Sequence, residues 1–159
     1  MKILVVSDTH GVLDGVKKAI SQIGQPDLVI HLGDILRQDE KLKEMCGCPV
    51  KIVQGNCDFH SENPMADIVE FGNNRAFITH GHYYQVDWGI DRLCYAADGN
   101  NCNFAMYGHT HEPEIVDNKG IMVLNPGSLT RPRQFNRKKS YIVIDVDDKG
   151  EAKAELRYL

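Results

Sequence analysis

The sequence predicts an α/β chain with strand-helix units in front and antiparallel strands behind, and three observations carry that reading. β-rich apolar runs alternate with helical patterns through the first two thirds of the 159 residues. From residue 103 onward, turn signals such as "DNKG" and "DDKG" separate short strand-like runs. The side chains able to do chemistry stand just past the C-terminal ends of the strands, the edge where open α/β sheets bind their ligands.

The front strands are "KILVVS" at 2–7, "DLVIHL" at 27–32, "VKIVQG" at 50–55 and "AFITHG" at 76–81. Between the first two, Leu13, Val16, Ile20 and Ile23 keep the spacing of a helix with one apolar face, and Gly24 and Pro26 stop it. A second helix is expected near 38–46 and a third over 86–97, where Val86, Ile90, Leu93 and Ala97 share a stripe. Behind them, strands are expected at "NFAMYG", "EPEIV", "IMVLN", "SYIVIDV" and "AKAELRYL". With no internal repeat and no linker, residues 1–159 are expected to form a single domain whose two parts share one core.

With 42% hydrophobic and 25% charged residues, the composition excludes a disordered or low-complexity chain. The net charge of -4 gives no general nucleic-acid footprint. The local exception, "RPRQFNRKK" at 131–139, reads as a solvated loop or as a lure for an anionic substrate. Five cysteines make an odd number, and "CGC" at 46–48 lacks the spacer of a zinc or redox site, so reduced thiols and a cytoplasmic location are expected. No apolar run approaches membrane-spanning length and no charged leader opens the chain, so neither membrane insertion nor export is expected.

Asp8 and His10 follow the first strand, Asp34 the second, Asn56 the third, His80 the fourth, and His109 with His111 the next. The steps from Asp8 to 34, 56, 80 and 109 are 26, 22, 24 and 29 residues, each about one strand plus its crossover, so the loops converge on one edge. Two carboxylates, an amide oxygen and four imidazoles exceed what one tetrahedral ion requires and suit two metals. The mixture of nitrogen and oxygen favours manganese, iron, zinc, cobalt or nickel over calcium, with magnesium less suited to so many nitrogens, and manganese is the expected ion. Two divalent cations outweigh the charges of Asp8 and Asp34, and the surplus suits attraction of a phosphate oxygen.

The order of blocks, Asp8-Thr9-His10, Gly33-Asp34, Gly55-Asn56-Cys57-Asp58, His80 and Gly108-His109-Thr110-His111, resembles the calcineurin-like metallophosphoesterases. The small size and "NPGS" at 125–128 are most similar to their compact YfcE-type phosphodiesterase branch. The resemblance implies a four-layer α/β/β/α sandwich of two mixed β-sheets flanked by helices. It implies that Asp8, His10 and His111 bind one metal, that Asn56, His80 and His109 bind a second, and that Asp34 bridges them. It also implies phosphodiester hydrolysis by a hydroxide bridging the two ions, acting on a small phosphodiester or nucleotide-like substrate.

Cys57 departs from the broad family, which has a histidine there, although the compact branch also carries cysteine. A thiol is a poor substitute for a histidine acid, so leaving groups that need no strong proton donor are favoured, and phosphodiesters over phosphomonoesters. His82, two residues past His80, and Asn56 are candidate substrate contacts, Asp58 a hydrogen-bonding orienter, and His31 a packed histidine. His60 reads as a loop residue, Arg37 as an exposed helix-start arginine, and Asn125 with Ser128 as a tight turn. Phosphomonoester or cyclic-nucleotide hydrolysis on the same site, and a non-catalytic scaffold of the kind seen in the retromer subunit Vps29, are the alternatives. A homo-oligomer that completes an open pocket is compatible with the sequence.

Overall fold

The computed structural model describes residues 1–159. Strand β1 (Lys2–Val6) has an apolar residue at every position after the first, and pleating divides them between two faces. Ile3 and Val5 point inward between two sheets, while Leu4 and Val6 point outward against helices. Helix α1 (Asp14–Ile23) lays Val16, Ala19 and Ile23 on that outer face, and strand β2 (Leu28–His31) runs parallel to β1. Helix α2 (Asp39–Cys46), strand β3 (Val50–Ile52), strand β9 (Ser140–Val146) and strand β10 (Ala152–Tyr158) complete this half, in the sheet order β10-β9-β1-β2-β3.

The second sheet has the order β4-β5-β6-β8-β7, built from β4 (Ala66–Phe71), β5 (Asn74–Thr79), β6 (Phe104–Met106), β7 (Pro113–Asn118) and β8 (Ile121–Pro126). Helix α3 (Asp91–Gly99) covers its outer face through Leu93, Cys94 and Ala97. Both sheets are mixed, and the expected α/β/β/α sandwich is the observed architecture. The core between the sheets draws Ile3, Val5, Ile30, Ile142 and Ile144 from one and Ile78, Phe104, Met106 and Leu124 from the other, so front and back parts of the chain do share a core.

Three expectations change. Strand β4, which the sequence reading passed over, is an edge strand whose side chains beyond Val69 and Phe71 stay partly or fully exposed, which weakens its apolar signal. Strand β6 lies parallel to both β5 and β8, so the back half is not wholly antiparallel. The third helix begins at Asp91: residues Val86–Trp88 form a 3₁₀ turn between Gln85 (φ 55°) and Gly89 (φ 142°), conformations that cannot continue an α-helix. Val86 still packs beneath α3, which is why it kept the helix's apolar phase.

Candidate metal centre

The loops after β1, β2, β3, β5 and β6 meet at one edge of the sandwich and carry every candidate ligand. Asp8, His10, Asp34 and His111 each offer an atom within 4.8 Å of the others. Asn56, His80 and His109 form a second group, where Asn56 Oδ1 lies 3.0 Å from His80 Nε2 and 2.9 Å from His109 Nδ1. Asp34 stands between them, with Oδ2 3.8 Å from His10 Nε2 and Oδ1 3.6 Å from His80 Nε2. Asp8, His10, Asp34, His109 and His111 all have positive φ, from 43° to 68°. That conformation costs about 1–3 kcal/mol at a non-glycine residue and concentrates at functional sites.

The outer nitrogen of three imidazoles is taken by a fixed acceptor. His80 Nδ1 donates to the Leu32 carbonyl at 2.6 Å, His111 Nδ1 to the Arg131 carbonyl at 2.7 Å, and His109 Nε2 to Asp87 Oδ2 at 2.9 Å. A neutral imidazole that donates from one nitrogen has a bare lone pair on the other. Those bare nitrogens face oxygen acceptors: Asn56 Oδ1 for His80 and His109, and Asp8 Oδ1, at 3.1 Å, for His111. Asp8 Oδ1 is fully buried and, while His111 is neutral, accepts no hydrogen bond. Lone pairs set against lone pairs, buried at Asp8 and His111 and open to solvent at Asn56, fit cations between them, so the donor set suits divalent metal ions.

A proton on His111 also relieves its contact with Asp8. Burial works to lower the His111 pKa, but the hydrogen bond and charge of Asp8 outweigh it and the pKa rises. Burial would raise the Asp8 pKa, and here the same hydrogen bond with the charges of His80 and His111 holds it below the usual carboxylate value.

The residues behind the ligands are fully engaged. Asp58 accepts from the N–H groups of Asp34 (2.7 Å), Gly55 (2.8 Å) and Leu36 (2.8 Å), so it orients its neighbours as the sequence suggested. Asn125 donates to the Gly108 carbonyl at 3.1 Å, and Ser128 and Thr130 hydroxyls both donate to the Asp8 carbonyl at 2.8 Å. The "NPGS" stretch thus holds the two ligand loops with its side chains, and it is not the expected tight turn, since Asn125 and Pro126 are the last two residues of β8. His31 is wholly buried, accepting from Gly33 N–H at 3.2 Å and meeting Thr9 Oγ1 at 2.9 Å; burial pushes its pKa down to about 4, so it is neutral.

His82 stacks beside the second group, its ring centroid 5.4 Å from His80 and 6.0 Å from His109, and its buried Nδ1 has no partner. Cys57 donates its backbone N–H to Asp34 Oδ1 at 2.8 Å, and burial together with Asp34 pushes its thiol up to about 11. His60 and Arg37 are exposed, as expected. Asp87 is the site residue that sequence reasoning missed, since it lies in a turn with no periodic pattern and meets His109 across 22 residues.

A family model described as the calcineurin-like phosphoesterase superfamily domain matches residues 1–149. The chain belongs to that superfamily. It is 30% identical to phosphodiesterase YfcE of Escherichia coli K12, over 92% of this chain and 89% of that one. Among solved structures, a predicted phosphoesterase of Streptococcus pneumoniae TIGR4 shares 31% identity with a TM-score of 0.81, covering 98% of this chain and 97% of the other. Vps29 of Chaetomium thermophilum, at 20% identity, has the same fold with a TM-score of 0.79 over 100% of this chain and 95% of its own. Membership of a phosphoesterase superfamily with this donor set implies divalent metal ions at the centre.

Proposed function

We propose that this superfamily member is a phosphoric ester hydrolase, a metal-dependent phosphodiesterase of the YfcE type acting as a single domain. One observation carries the reading: three imidazoles are locked from outside with their bare nitrogens turned on acceptor oxygens, an arrangement built for cations. Asp8, His10 and His111 would hold one ion, Asn56, His80 and His109 the other, and Asp34 would reach both. Bound divalent ions, manganese first among the candidates, supply the positive charge that activates water and polarises a phosphoryl oxygen.

The chain's own groups do the rest. His82 borders the second group, its ring 6.0 Å from that of His109, and would contact a substrate held there. A hollow of about 450 Å³ beside His109 is lined by Asp87, Thr110, Glu112 and Arg133, and one of about 270 Å³ by Arg37, Asp58, Phe59 and His60. The first of these flanks would receive one alcohol group of a diester. The neutral Cys57 thiol offers no strong acid, which favours diesters with good leaving groups over alkyl monoesters. The complete ligand set weighs against a scaffold role despite the shared Vps29 fold.

Chelator-stripped protein restored with Mn²⁺, Ni²⁺, Zn²⁺ or Mg²⁺ is expected to cleave bis-p-nitrophenyl phosphate with Mn²⁺ and p-nitrophenyl phosphate little. Asp34→Ala should abolish that hydrolysis and weaken both ions, while His60→Ala should leave it intact. Absence of turnover with every metal, in protein shown to bind two ions, overturns the reading.

A further inference from the structure

Residues 131–139 carry five of the chain's eighteen lysines and arginines and no carboxylate. Although the chain holds 22 acidic residues, none of these five cations enters an ion pair. Like charges gathered without counter-charges repel one another, and the one contact among these charged groups is that of Lys138 Nζ over the Tyr158 ring, 6.0 Å from its centroid. Phe135, in the middle of the segment, is fully exposed at 105%, above every other large apolar side chain. A solvent-exposed aromatic ring among unpaired cations calls for a partner of matching chemistry.

The segment is fastened to the candidate metal centre. His111 donates from Nδ1 to the Arg131 carbonyl at 2.7 Å, and Arg133 N–H donates back to the His111 carbonyl at 3.2 Å. Arg131 N–H is held by Ser128 Oγ at 2.9 Å. Beyond that anchor Arg137 N–H donates to the Gln134 carbonyl at 2.9 Å and Lys138 N–H to Asn136 Oδ1 at 3.1 Å, and Leu159 N–H donates to the Lys139 carbonyl at 3.0 Å, before the chain enters β9. Phe135 follows Arg133, which lines the hollow beside His109, by two residues, so their Cα atoms are at most about 7 Å apart.

We propose that this loop docks a nucleotide flanking the scissile bond, with Arg137, Lys138 and Lys139 meeting a neighbouring phosphate and Phe135 stacking on a base. The inference deepens the phosphodiesterase reading by naming the substrate class, short single-stranded nucleotide diesters. Unpaired cations beside an exposed aromatic ring are the two elements by which single-stranded nucleic acid is held, and an aliphatic phosphodiester would use the first and leave the second idle.

The test compares the Mn²⁺-loaded wild type with Phe135→Ala and with a triple Arg137→Gln, Lys138→Gln, Lys139→Gln variant. Substrates are bis-p-nitrophenyl phosphate and a 5′-phosphorylated tetrathymidylate, and anisotropy of the labelled tetranucleotide reports binding independently of turnover. Both variants should hydrolyse the small diester as the wild type does and bind the tetranucleotide about tenfold more weakly, and the triple variant should also lose salt dependence. Unchanged tetranucleotide affinity in both variants, or equal losses on the two substrates, overturns the inference. Since anisotropy needs no catalysis, failure of the hydrolase reading remains distinguishable from failure of the docking loop.

Discussion

The imidazole of His109 rests its Nε2 2.9 Å from Asp87 Oδ2, whereas His80 and His111 donate their outer nitrogens to backbone carbonyls. A carboxylate behind an imidazole raises its basicity and fixes its tautomer, and losing such a partner typically weakens metal binding by about 10–100-fold. Asp87→Ala should therefore weaken the ion held by His109 by that factor and leave the ion at Asp8 and His10 nearly unchanged. Asp87→Asn, which keeps an acceptor without its charge, should fall between. Calorimetric titration of metal into chelator-stripped protein measures both ions, and equal affinities in wild type and Asp87→Ala would show that His109 is oriented by other contacts. The side chain is half exposed, so the fold should tolerate both changes.

Asp87 also marks where the sequence stops being readable. Asp8, Asp34, Asn56, His80 and His109 were legible because each directly follows an apolar strand, and strand-to-crossover spacing brings such positions to one edge. Their supporting bonds were not, because contacts such as Ser128 to the Asp8 carbonyl join residues 120 apart with no periodic trace. The second sheet is hidden for a related reason. The direction of β6 is set by its crossovers, while its own residues, Phe104 to Met106, are buried on both faces and read alike in a parallel or an antiparallel ladder. What the apolar pattern does carry is the division of faces, with Ile3 and Val5 turned to one core and Leu4 and Val6 to another.

Gly108 sits where two ligand loops touch. A Cβ there would overlap Ser7 Oγ and come within 2.8 Å of Asp8 Oδ2, while Gly108 N–H is tied to the His80 carbonyl at 3.0 Å and the next N–H, that of His109, to Asp8 Oδ2 at 3.0 Å. The Asp8 carboxylate and the two N–H groups are fixed by those bonds, and Ser7 Cβ stands 2.9 Å away even if the unpartnered Ser7 hydroxyl turns aside. Gly108→Ala is expected to cost about 1–3 kcal/mol of stability and to reduce metal affinity by shifting Asp8 or His109. Gly99→Ala, in α3 with no neighbour within 4 Å, should be neutral or slightly stabilising. Thermal melting and metal titration of the two variants make the comparison, and equal behaviour would mean that the loops at Gly108 are looser than their hydrogen bonds imply.

His31 links the site's scaffold to pH. Its folded pKa is pushed down to about 4 by burial, against an ordinary value of 6.5, so the unfolded chain takes up a proton more readily than the folded one. Stability from this neutral histidine is complete above pH 6.5 and is lost as pH falls toward 4. The shift corresponds to about 3 kcal/mol across that window. Other groups titrate there too, so the informative quantity is the difference between wild type and His31→Gln, whose amide can still serve Thr9 and Gly33 but cannot take the proton. Urea unfolding of the metal-free proteins at stepped pH should show the wild type losing stability faster than the variant between pH 6.5 and 4. Parallel profiles would mean that the folded protein accommodates a protonated His31, through movement of Gly33 or entry of water beside Thr9.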